Sequence, residues 1–569
     1  MFHRMSRRYL FWGSVLAASS LLMAGCGALP SHQAATKKQV ASARRERSPG
    51  SDSDARKLAE AHAHYGAGVI HEMEDDSEAA LEEYYKAALK DPDNESLILE
   101  VSRRFLQKKQ PEKALELLNR AAERPDASGS VFARIGFIYS QQGKHDQAVA
   151  ANRMAINKSP ESLPGYQNLF LNYLQNKQPQ EALKVLAEAA SRPRSDFEFL
   201  IGLSELYLNF GVQIPAQKEI AHTKALAVLN RAEKLKPANP ASRLQLADAF
   251  NLLGDPAKAA QLYLELLKKL PDVPLIQERV RAKLTDIYLR GQDHQRAVEQ
   301  LEAIIRDDPT NPQAYYFLGS IALDEKKLPE AAEHFGKTIM LNPDFEQAYY
   351  DLAIAQINLH KTSDALATLD KARQKFPQNF VLEFLTGMAF SHQKAYTEAL
   401  QHYTSAEVIA QATDPKRLNE GFYFQLGAAY ERKGDYQQAE KYFSKCLQLQ
   451  PGSAETMNYL GFMWAEHGMK LEQARELIEK AVRAEPKNAA YLDSLGWVRF
   501  KLGQPKEALE PVLKAAELSE EPDATVYDHL GDIYAALNQM EKAREAWRKS
   551  LSVEPNEQVQ KKLEAGAGK

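Results

Sequence analysis

Residues 420–453 read EGFYFQLGAAYERKGDYQQAEKYFSKCLQLQPGS, and this stretch decides the fold of the chain. Its apolar and small residues recur three and four positions apart in two successive runs, which is the spacing of one face of a helix. Gly434 lies between the runs and Pro451 follows the second, so we expect two amphipathic helices joined by a turn. Gly427 and Ala439 are small enough for a neighbouring helix to pass close to them. Neither helix can bury its apolar face alone, and the unit therefore needs copies of itself on both sides.

The same spacing recurs along the chain in about 14 copies, nearly in phase. Clear copies contain Gly136, Tyr139, Ala148, Ala155 and Pro160; Ala247, Phe250, Ala259, Tyr263 and Pro271; Tyr315, Leu318, Gly319, Ala331, Phe335 and Pro343; Tyr349, Leu352, Ala353, Ala365, Ala372 and Pro377; and Tyr527, Leu530, Gly531, Tyr534, Ala543, Trp547 and Pro555. The pattern resembles the tetratricopeptide repeat (TPR) family. The resemblance implies an all-α, right-handed superhelical solenoid of about 14 helix-turn-helix repeats, closed by a C-terminal capping helix.

The sequence as a whole divides the chain into five parts. We expect a signal peptide at 1–25, a lipidated flexible tether at 26–58, repeats 1–10 at 59–412, repeats 11–14 at 418–557, and a capping helix with a tail at 558–569. At 569 residues the chain is too long for one compact core, and a solenoid escapes that limit because each repeat contacts only its neighbours.

The fifth repeat carries an extra segment around Val212–Thr223, which includes Pro215. We expect it to lengthen the turn or to add helix between the two helices of that repeat. Insertions in repeat arrays map to loops on one face, often the binding face, so the segment is either a binding element or a tolerated insertion.

The amino terminus resembles a bacterial lipoprotein signal. Arginines at 4, 7 and 8 precede an apolar run from Tyr9 to Ala24, and Leu22-Met23-Ala24-Gly25-Cys26 follows the pattern of a small-residue cleavage site. The resemblance implies cleavage before Cys26 and lipidation of that cysteine, and Gly27 after it favours the outer membrane. An uncleaved anchor helix and an ordinary secretory signal are the alternatives.

Composition narrows the possible functions. A formal net charge of −4 gives no strong global field for nucleic acid, so we expect no nucleic-acid partner. The second cysteine, Cys446, occupies a small buried position of its repeat and is interpreted as packing. We find no catalytic, phosphate-binding or dinucleotide-binding motif, and we predict a protein that is not an enzyme and needs no cofactor. His62, His64 and His71, beside acidic residues, form the densest polar cluster, which we interpret as a solvated first repeat and not as a metal site.

In the TPR family the first helix of each repeat lines a concave groove, and the resemblance places groove contacts at the second, fifth, ninth and twelfth positions of each unit. The aromatic and methionine residues at the fifth and ninth positions are Tyr316, Tyr350, Phe384, Phe424, Met388, Phe462 and Trp497. Such a row could grip an extended or helical peptide, or it could only pack the repeats together.

Towards the carboxyl-terminal end the predicted groove is acidic, with Glu455, Asp493, Asp528 and Asp532. One hypothesis is that these carboxylates bind a basic or amine-bearing segment of a partner. The other is that they form a solubilising face.

The function that these features favour is a membrane-anchored scaffold or adaptor lipoprotein that binds other envelope proteins or peptide segments. The resemblance to envelope TPR lipoproteins implies a role in assembly or export machinery, at the periplasmic face of the outer membrane. The alternative is an envelope protein that binds carbohydrate or peptidoglycan by stacking Tyr316, Tyr350 and Trp497 on sugar rings.

Overall fold

The computed structural model of this protein describes residues 52–193, 195–269 and 273–566. In those residues the chain forms 29 α-helices and two short 3-10 helices, and no strand. Consecutive α-helices pair into hairpins. The two helices of every hairpin contact each other, from α1 with α2 to α27 with α28. The predicted all-α repeat fold is therefore confirmed. The predicted signal peptide and most of the tether lie outside the described residues.

The chain divides into two compact units, one up to Lys236 and one from Pro237 onwards. The first unit contains five hairpins, formed by α1 Asp52–Met73, α2 Ser77–Lys90, α3 Glu95–Gln107, α4 Pro111–Ala122, α5 Gly129–Gln141, α6 His145–Lys158, α7 Leu163–Gln175, α8 Pro179–Ala190, α9 Phe197–Gln213 and α10 Lys218–Lys234. Its core contains aromatic and aliphatic side chains from successive hairpins, such as Tyr85, Phe105 and Leu118.

The second unit contains nine hairpins and a final single helix. Its helices are α11 Pro240–Leu253, α12 Pro256–Lys269, α13 Pro274–Arg290, α14 His294–Asp307, α15 Pro312–Asp324, α16 Leu328–Leu341, α17 Glu346–Asn358, α18 Thr362–Lys375, α19 Phe380–His392, α20 Tyr396–Thr413, α21 Glu420–Lys433, α22 Tyr436–Leu449, α23 Ala454–Glu466, α24 Leu471–Ala484, α25 Ala489–Lys501, α26 Pro505–Leu518, α27 Ala524–Ala536, α28 Met540–Val553 and α29 Glu557–Gly566.

Several hairpins close where a glycine on the first helix meets a large side chain on the second helix. A Cβ atom added to Gly427 would lie 2.9 Å from the ring of Phe443, and one added to Gly319 would lie 2.7 Å from the ring of Phe335. Both rings are fully buried, and burial of a phenylalanine side chain contributes about 1.5–3 kcal/mol. The glycines of the repeat pattern therefore admit the aromatic side chains that hold the two helices together.

The first helices end in a recurring left-handed turn. In the α3–α4 turn, Lys109 has a φ of 57° and the N–H of Gln110 donates to the carbonyl of Phe105 at 2.9 Å, which is a Schellman ending. The residue in this left-handed position is glycine in some hairpins and not in others: Asp75, Lys109, Gly143, Lys177, Gly254, Gln292, Lys326, His360, Lys394, Gly434, Gly468, Gly503 and Asn538.

The α9–α10 hairpin departs from this pattern. α9 continues to Gln213, a 3-10 helix covers Pro215–Gln217, and α10 begins at Lys218. The extra segment that the sequence indicated is therefore additional helix on both sides of a short turn. It leaves Val212 and Ile220 exposed at the end of the hairpin.

Candidate functional site

The predicted groove residues all lie on first helices of the second unit. In that unit α17 contacts both α15 and α19, and α25 contacts both α23 and α27. We call the surface formed by these odd-numbered helices the first-helix face. It carries Tyr316 on α15, Tyr350 on α17, Phe384 and Met388 on α19, Phe424 on α21, Phe462 on α23, Asp493 and Trp497 on α25, and Asp528 and Asp532 on α27.

Tyr316 joins α15 to α17. Its hydroxyl donates to Oδ2 of Asp351 at 2.9 Å, and its ring meets Phe345 edge-on at 4.6 Å between centroids. The side chain is half-buried, so part of the ring still faces solvent. Tyr316 therefore holds neighbouring first helices together and also offers some apolar surface.

Asp351 is a buried carboxylate to which sequence reasoning assigned no role. Its other oxygen, Oδ1, accepts from Nε2 of Gln347 at 3.0 Å. Burial raises the pKa of Asp351 to about 6, although the two hydrogen bonds oppose that shift because they favour the ionised form. Asp351 lies 35 residues after Tyr316, which is about one repeat length. The signal in the sequence is therefore a carboxylate one repeat after a tyrosine.

Tyr350 is almost fully buried, with 3% of its surface exposed. Its hydroxyl donates to Oε1 of Glu346 at 2.7 Å and accepts from Nδ2 of Asn379 at 2.8 Å. Asn379 caps α19 by accepting from the N–H of Leu382 at 3.1 Å. The tyrosine that was predicted to contact a partner thus supports the start of the next first helix.

Phe384 and Met388 are half-buried on α19. The ring of Phe384 stacks on Phe380 at 5.6 Å and lies 5.9 Å from Phe422, so its orientation is fixed by aromatic neighbours. Phe424, on α21, is buried between Phe443 and Tyr459. On these two helices Phe384 and Met388 therefore keep accessible apolar surface and Phe424 does not.

Trp497 and Asp493 are buried on α25, and both contact His529 of α27. The imidazole stacks on the indole at 3.9 Å between centroids, and its Nδ1 lies 3.0 Å from both carboxylate oxygens of Asp493. The indole Nε1 donates to Oε2 of Glu466 at 2.7 Å, which joins α25 to α23. Phe462, on α23, remains half-buried near His529.

This geometry disfavours the alternative in which Tyr316, Tyr350 and Trp497 stack on sugar rings. Trp497 exposes 6% of its surface, and the rings of Phe500 and His529 stack against it. Tyr350 is buried as well, so of the three rings that were predicted to contact sugars only Tyr316 offers part of a face.

Asp528 and Asp532 face a cation of their own chain. Nζ of Lys562, on α29, donates to Oδ1 of Asp528 at 2.8 Å and to Oδ2 of Asp532 at 2.7 Å. Burial raises the pKa of Asp532 although the hydrogen bond from Lys562 opposes it. Burial lowers the pKa of Lys562, but hydrogen bonds to the two carboxylates outweigh that effect and raise it. The predicted place for a basic partner group is thus filled by Lys562, and Asp493 likewise already has His529.

Sequence reasoning missed His529 and Lys562 because it considered groove positions one repeat at a time. Asp528 and Lys562 are 34 residues apart, one repeat length, and Asp493 and His529 are 36 apart. Side chains that carry opposite charge or can hydrogen-bond at this separation lie on adjacent first helices. That spacing is the signal in the sequence that would have identified both pairs.

Other predictions concern the lipid anchor and the histidine cluster of the first repeat. Cys26 lies outside the described residues. None of the helices within the described ranges combines the length and the apolar character that crossing a bilayer requires. In the same part of the chain, no three His, Cys, Asp or Glu side chains are grouped so that they could hold a metal ion, and His64 instead contacts Oε2 of Glu83 at 2.7 Å through Nδ1.

Family models described as tetratricopeptide repeat match six segments of the chain. These segments are 222–274, 283–339, 322–381, 422–453, 470–524 and 524–557. Five of them lie within the second unit, and the segment 222–274 begins in α10, the last helix of the first unit. One of the six, 422–453, coincides with the stretch that decides the fold.

Curated relatives match over part of their length. The peroxisomal targeting signal receptor of Kluyveromyces lactis is 22% identical over 238 residues, which cover 41% of this chain and 40% of the receptor. The human protein O-mannosyl-transferase TMTC3 is 25% identical over 310 residues, which cover 50% of this chain and 32% of the transferase. The chain thus spans less than half the length of these two relatives.

Solved structures of helical-repeat proteins also match. A tetratricopeptide repeat protein from Parabacteroides merdae is 18% identical, with a TM-score of 0.38, and the match covers 45% of this chain and 98% of that protein. A chain of the APC/C hetero-tetramer Cut9-Hcn1 is 15% identical, with a TM-score of 0.39, and the match covers 82% of this chain and 95% of that chain.

Proposed function

Because this chain belongs to the tetratricopeptide repeat proteins, we propose that it is a scaffold that binds a segment of another protein on the first-helix face, while a lipid on Cys26 holds it at the membrane of the bacterial envelope. The observation that carries the binding proposal is the set of half-buried apolar side chains on that face. They are Tyr316, Phe384, Met388 and Phe462.

These side chains have the properties of preorganised anchors. Phe384 is held by Phe380 and Phe422, and Tyr316 by Phe345 and Asp351, so little side-chain entropy is lost when a partner binds. Interface energy concentrates in rigid apolar and aromatic residues of this kind. We therefore expect an extended or helical peptide segment to bind through apolar side chains of its own.

Charged side chains contribute less to the proposed binding than the sequence alone predicts. Asp493, Asp528 and Asp532 each have a cationic or hydrogen-bonding partner within the chain. A basic group of a binding partner would have to displace His529 or Lys562 to reach them, which costs the hydrogen bonds already made. Apolar contact at Phe384, Met388 and Phe462 is therefore the favoured source of affinity.

The membrane anchor is supported by the sequence alone. Cys26 follows a charged segment and an apolar run of the kind found in lipoprotein signals, and residues 27–51, which precede α1, are rich in small and polar residues. Attached acyl chains together with a flexible tether would confine the scaffold near the bilayer, which raises its effective concentration towards other envelope proteins.

The binding proposal is tested by photocrosslinking in living cells. A photoreactive amino acid at Met388 should capture one or a few defined proteins, identified by mass spectrometry. Met340 is a matched control because it is an exposed methionine on α16, a second helix of the same unit. We expect Met388→Asp and Phe462→Asp to abolish co-purification of the captured protein. Equal capture from both methionine positions, or co-purification unchanged in the variants, would contradict the proposal.

The anchor is tested separately. Cells fed a labelled fatty acid should incorporate the label into the wild-type chain and not into Cys26→Ser. Fractionation should place the wild-type chain with the outer membrane. A wild-type chain that takes up no label would remove the anchor from the proposal and leave the scaffold function untouched.

A further inference from the structure

The four acidic residues predicted along the first-helix face differ in whether the chain itself supplies a partner. Three of them, on α25 and α27, have a cationic or hydrogen-bonding partner about one repeat further along the chain. The fourth is Glu455, near the start of α23, and its carboxylate forms no hydrogen bond or ion pair with any residue that the structure describes. Glu455 is therefore the acidic position of this row to which a further group can be added without displacing a described side chain.

The side chain of Glu455 is half-buried beside other acidic groups. Burial raises the pKa of Glu455, and the carboxylates of Glu420 and Glu485 raise it further. Oε1 of Glu420 accepts from the hydroxyls of Ser453 and Thr456 at 3.0 Å each, so this second carboxylate is fixed at the start of α23. Ionised Glu455 is therefore destabilised by its surroundings, and a cation placed beside it would remove that cost.

A buried acceptor without a donor lies one helical turn after Glu455. Asn458 exposes 2% of its surface, and its Oδ1 has no hydrogen-bond partner among the described residues. A buried acceptor that is left unpaired destabilises the folded chain, and a bound donor would correct this. Side chains three residues apart on a helix share one face, with Cβ atoms about 5–6 Å apart. A single ammonium or guanidinium group can therefore reach Glu455 and Asn458 together.

The next first helix, α25, leaves room for such a group. Three pairs on this face join residues that are 34, 35 and 36 positions apart on successive first helices. The residue 35 positions after Glu455 is Ala490, which is exposed and has no side-chain donor. The place from which another hairpin would supply a partner is thus occupied by a methyl group, and the donor can come from a bound segment.

Given the proposed function, on which this step rests, we propose that the bound segment places a lysine or arginine side chain against Glu455 and Asn458 and an apolar side chain on Phe462. The half-buried ring of Phe462 lies seven residues after Glu455, about 10 Å along the same face of α23. The basic and the apolar side chain are therefore about three residues apart in an extended segment or about seven in a helical one. The basic side chain selects the segment, while apolar contacts supply most of the affinity.

Selection from a displayed library of random peptides on the purified full chain tests the chemistry of the segment. The parent chain should select peptides that carry lysine or arginine at a fixed separation from an apolar residue. Glu455→Gln should keep the apolar residue and lose the basic one, whereas Glu330→Gln, exposed on α16, should select as the parent does. Peptides without a basic preference would overturn this inference and leave the scaffold function intact. A parent chain that selects no peptide would overturn both.

The affinity for one selected peptide, measured by calorimetry, separates direct contact from a structural effect. Glu455→Gln should weaken binding about tenfold or more, because a hydrogen bond between charged groups is lost. Asn458→Leu should weaken it about three- to tenfold without lowering the unfolding temperature, since an unpaired acceptor is replaced by an apolar group of similar size. Ala490→Lys should abolish binding by placing the chain's own ammonium group in the site, and Ala257→Lys, exposed on α12, is the matched control. Unchanged affinity in Glu455→Gln or in Ala490→Lys would overturn the proposal, and a destabilised Asn458→Leu would assign Asn458 a structural role only.

Discussion

Nδ1 of His529 lies 3.0 Å from both carboxylate oxygens of Asp493, and the two buried side chains belong to consecutive first helices. Similar contacts join Tyr316 to Asp351, Trp497 to Glu466 and Lys562 to Asp528. The first-helix face is thus held together by polar side chains that reach from one hairpin to the next. Loss of one of these contacts leaves a polar group of a neighbouring hairpin without its partner, which destabilises the unit.

The pair Asp493–His529 should be important for the stability of the second unit. Asp493→Ala leaves a buried imidazole without its partner, and we expect the free energy of unfolding to fall by about 1–3 kcal/mol. Urea unfolding followed by tryptophan fluorescence measures it, because Trp497 stacks on His529. Asp286→Ala, which removes an exposed pair with Arg290, is the control and should cost less than about 1 kcal/mol. Equal effects of the two substitutions would contradict the prediction.

Asp351 should make the second unit less stable as the pH rises from about 4 to about 6. Its pKa in the folded chain, about 6, lies above the ordinary value of 3.8, so folding disfavours its ionised form. The protonated group below about pH 4 imposes no penalty, and the penalty is complete above about pH 6. The difference corresponds to about 3 kcal/mol.

Asp351→Asn should therefore raise stability at pH 7 by up to about 3 kcal/mol and change it little at pH 4. Urea midpoints of the parent chain and the variant across this pH range are the measurement. Asp307→Asn, on an exposed residue of α14, is the control. A benefit that is the same at pH 4 and pH 7 would rule out titration of Asp351 as its cause.

Replacement of Gly496 by a larger residue should lower the free energy of unfolding of the second unit. A Cβ atom there would collide with Cγ2 of Val512 and lie 2.9 Å from the carbonyl oxygen of Ala508, so Gly496→Ala should cost about 1–3 kcal/mol. Gly336 lies inside α16 with open space around its Cβ position, and Gly336→Ala should stabilise the chain by about 0.5–1 kcal/mol. Thermal unfolding of the two variants should shift in opposite directions, and a shared direction would contradict the packing argument.

Lys562 should hold α29 in place. Lys562→Met keeps most of the side-chain length but removes the cation that Asp528 and Asp532 share. We expect amide hydrogen exchange in 557–566 to become about tenfold faster, which corresponds to the loss of about 1.4 kcal/mol. Lys561→Met, on the exposed neighbouring residue, is the control. Unchanged protection in Lys562→Met would show that apolar contacts of Val559 hold the helix alone.

Left-handed turn residues should respond to substitution according to their side chain. Lys326 has a φ of 61°, where a residue with a Cβ atom is strained, and Lys326→Gly should stabilise the second unit by about 0.5–1 kcal/mol. Gly254 has a φ of 90° with nothing near its Cβ position, so Gly254→Ala should destabilise the unit by about 1 kcal/mol through backbone strain alone. Calorimetry on both variants is the measurement, and stabilisation by Gly254→Ala would contradict the argument.

Much of the fold could be predicted because its cause is local. Gly427 with Phe443, and Pro451 after the second helix, specify a hairpin that must repeat in order to bury its faces. The candidate site could be predicted only in part, because a groove position shows which helix carries a side chain and not what the next hairpin places against it. Tyr350 and Trp497 are at such positions and are buried by their neighbours, whereas Phe384, Met388 and Phe462 keep accessible surface.

The left-handed turns have a consequence for how the protein moves. Eight of them carry a residue other than glycine. A residue with a Cβ atom is strained in this conformation, so each of these eight turns should open more easily than a turn with glycine. Because these eight turns occur in three of the five hairpins of the first unit and in five of the nine hairpins of the second, thermal opening is distributed over the described part of the chain and not gathered at a single hinge. A protein built in this way can yield by a small amount in many places without unfolding any one hairpin.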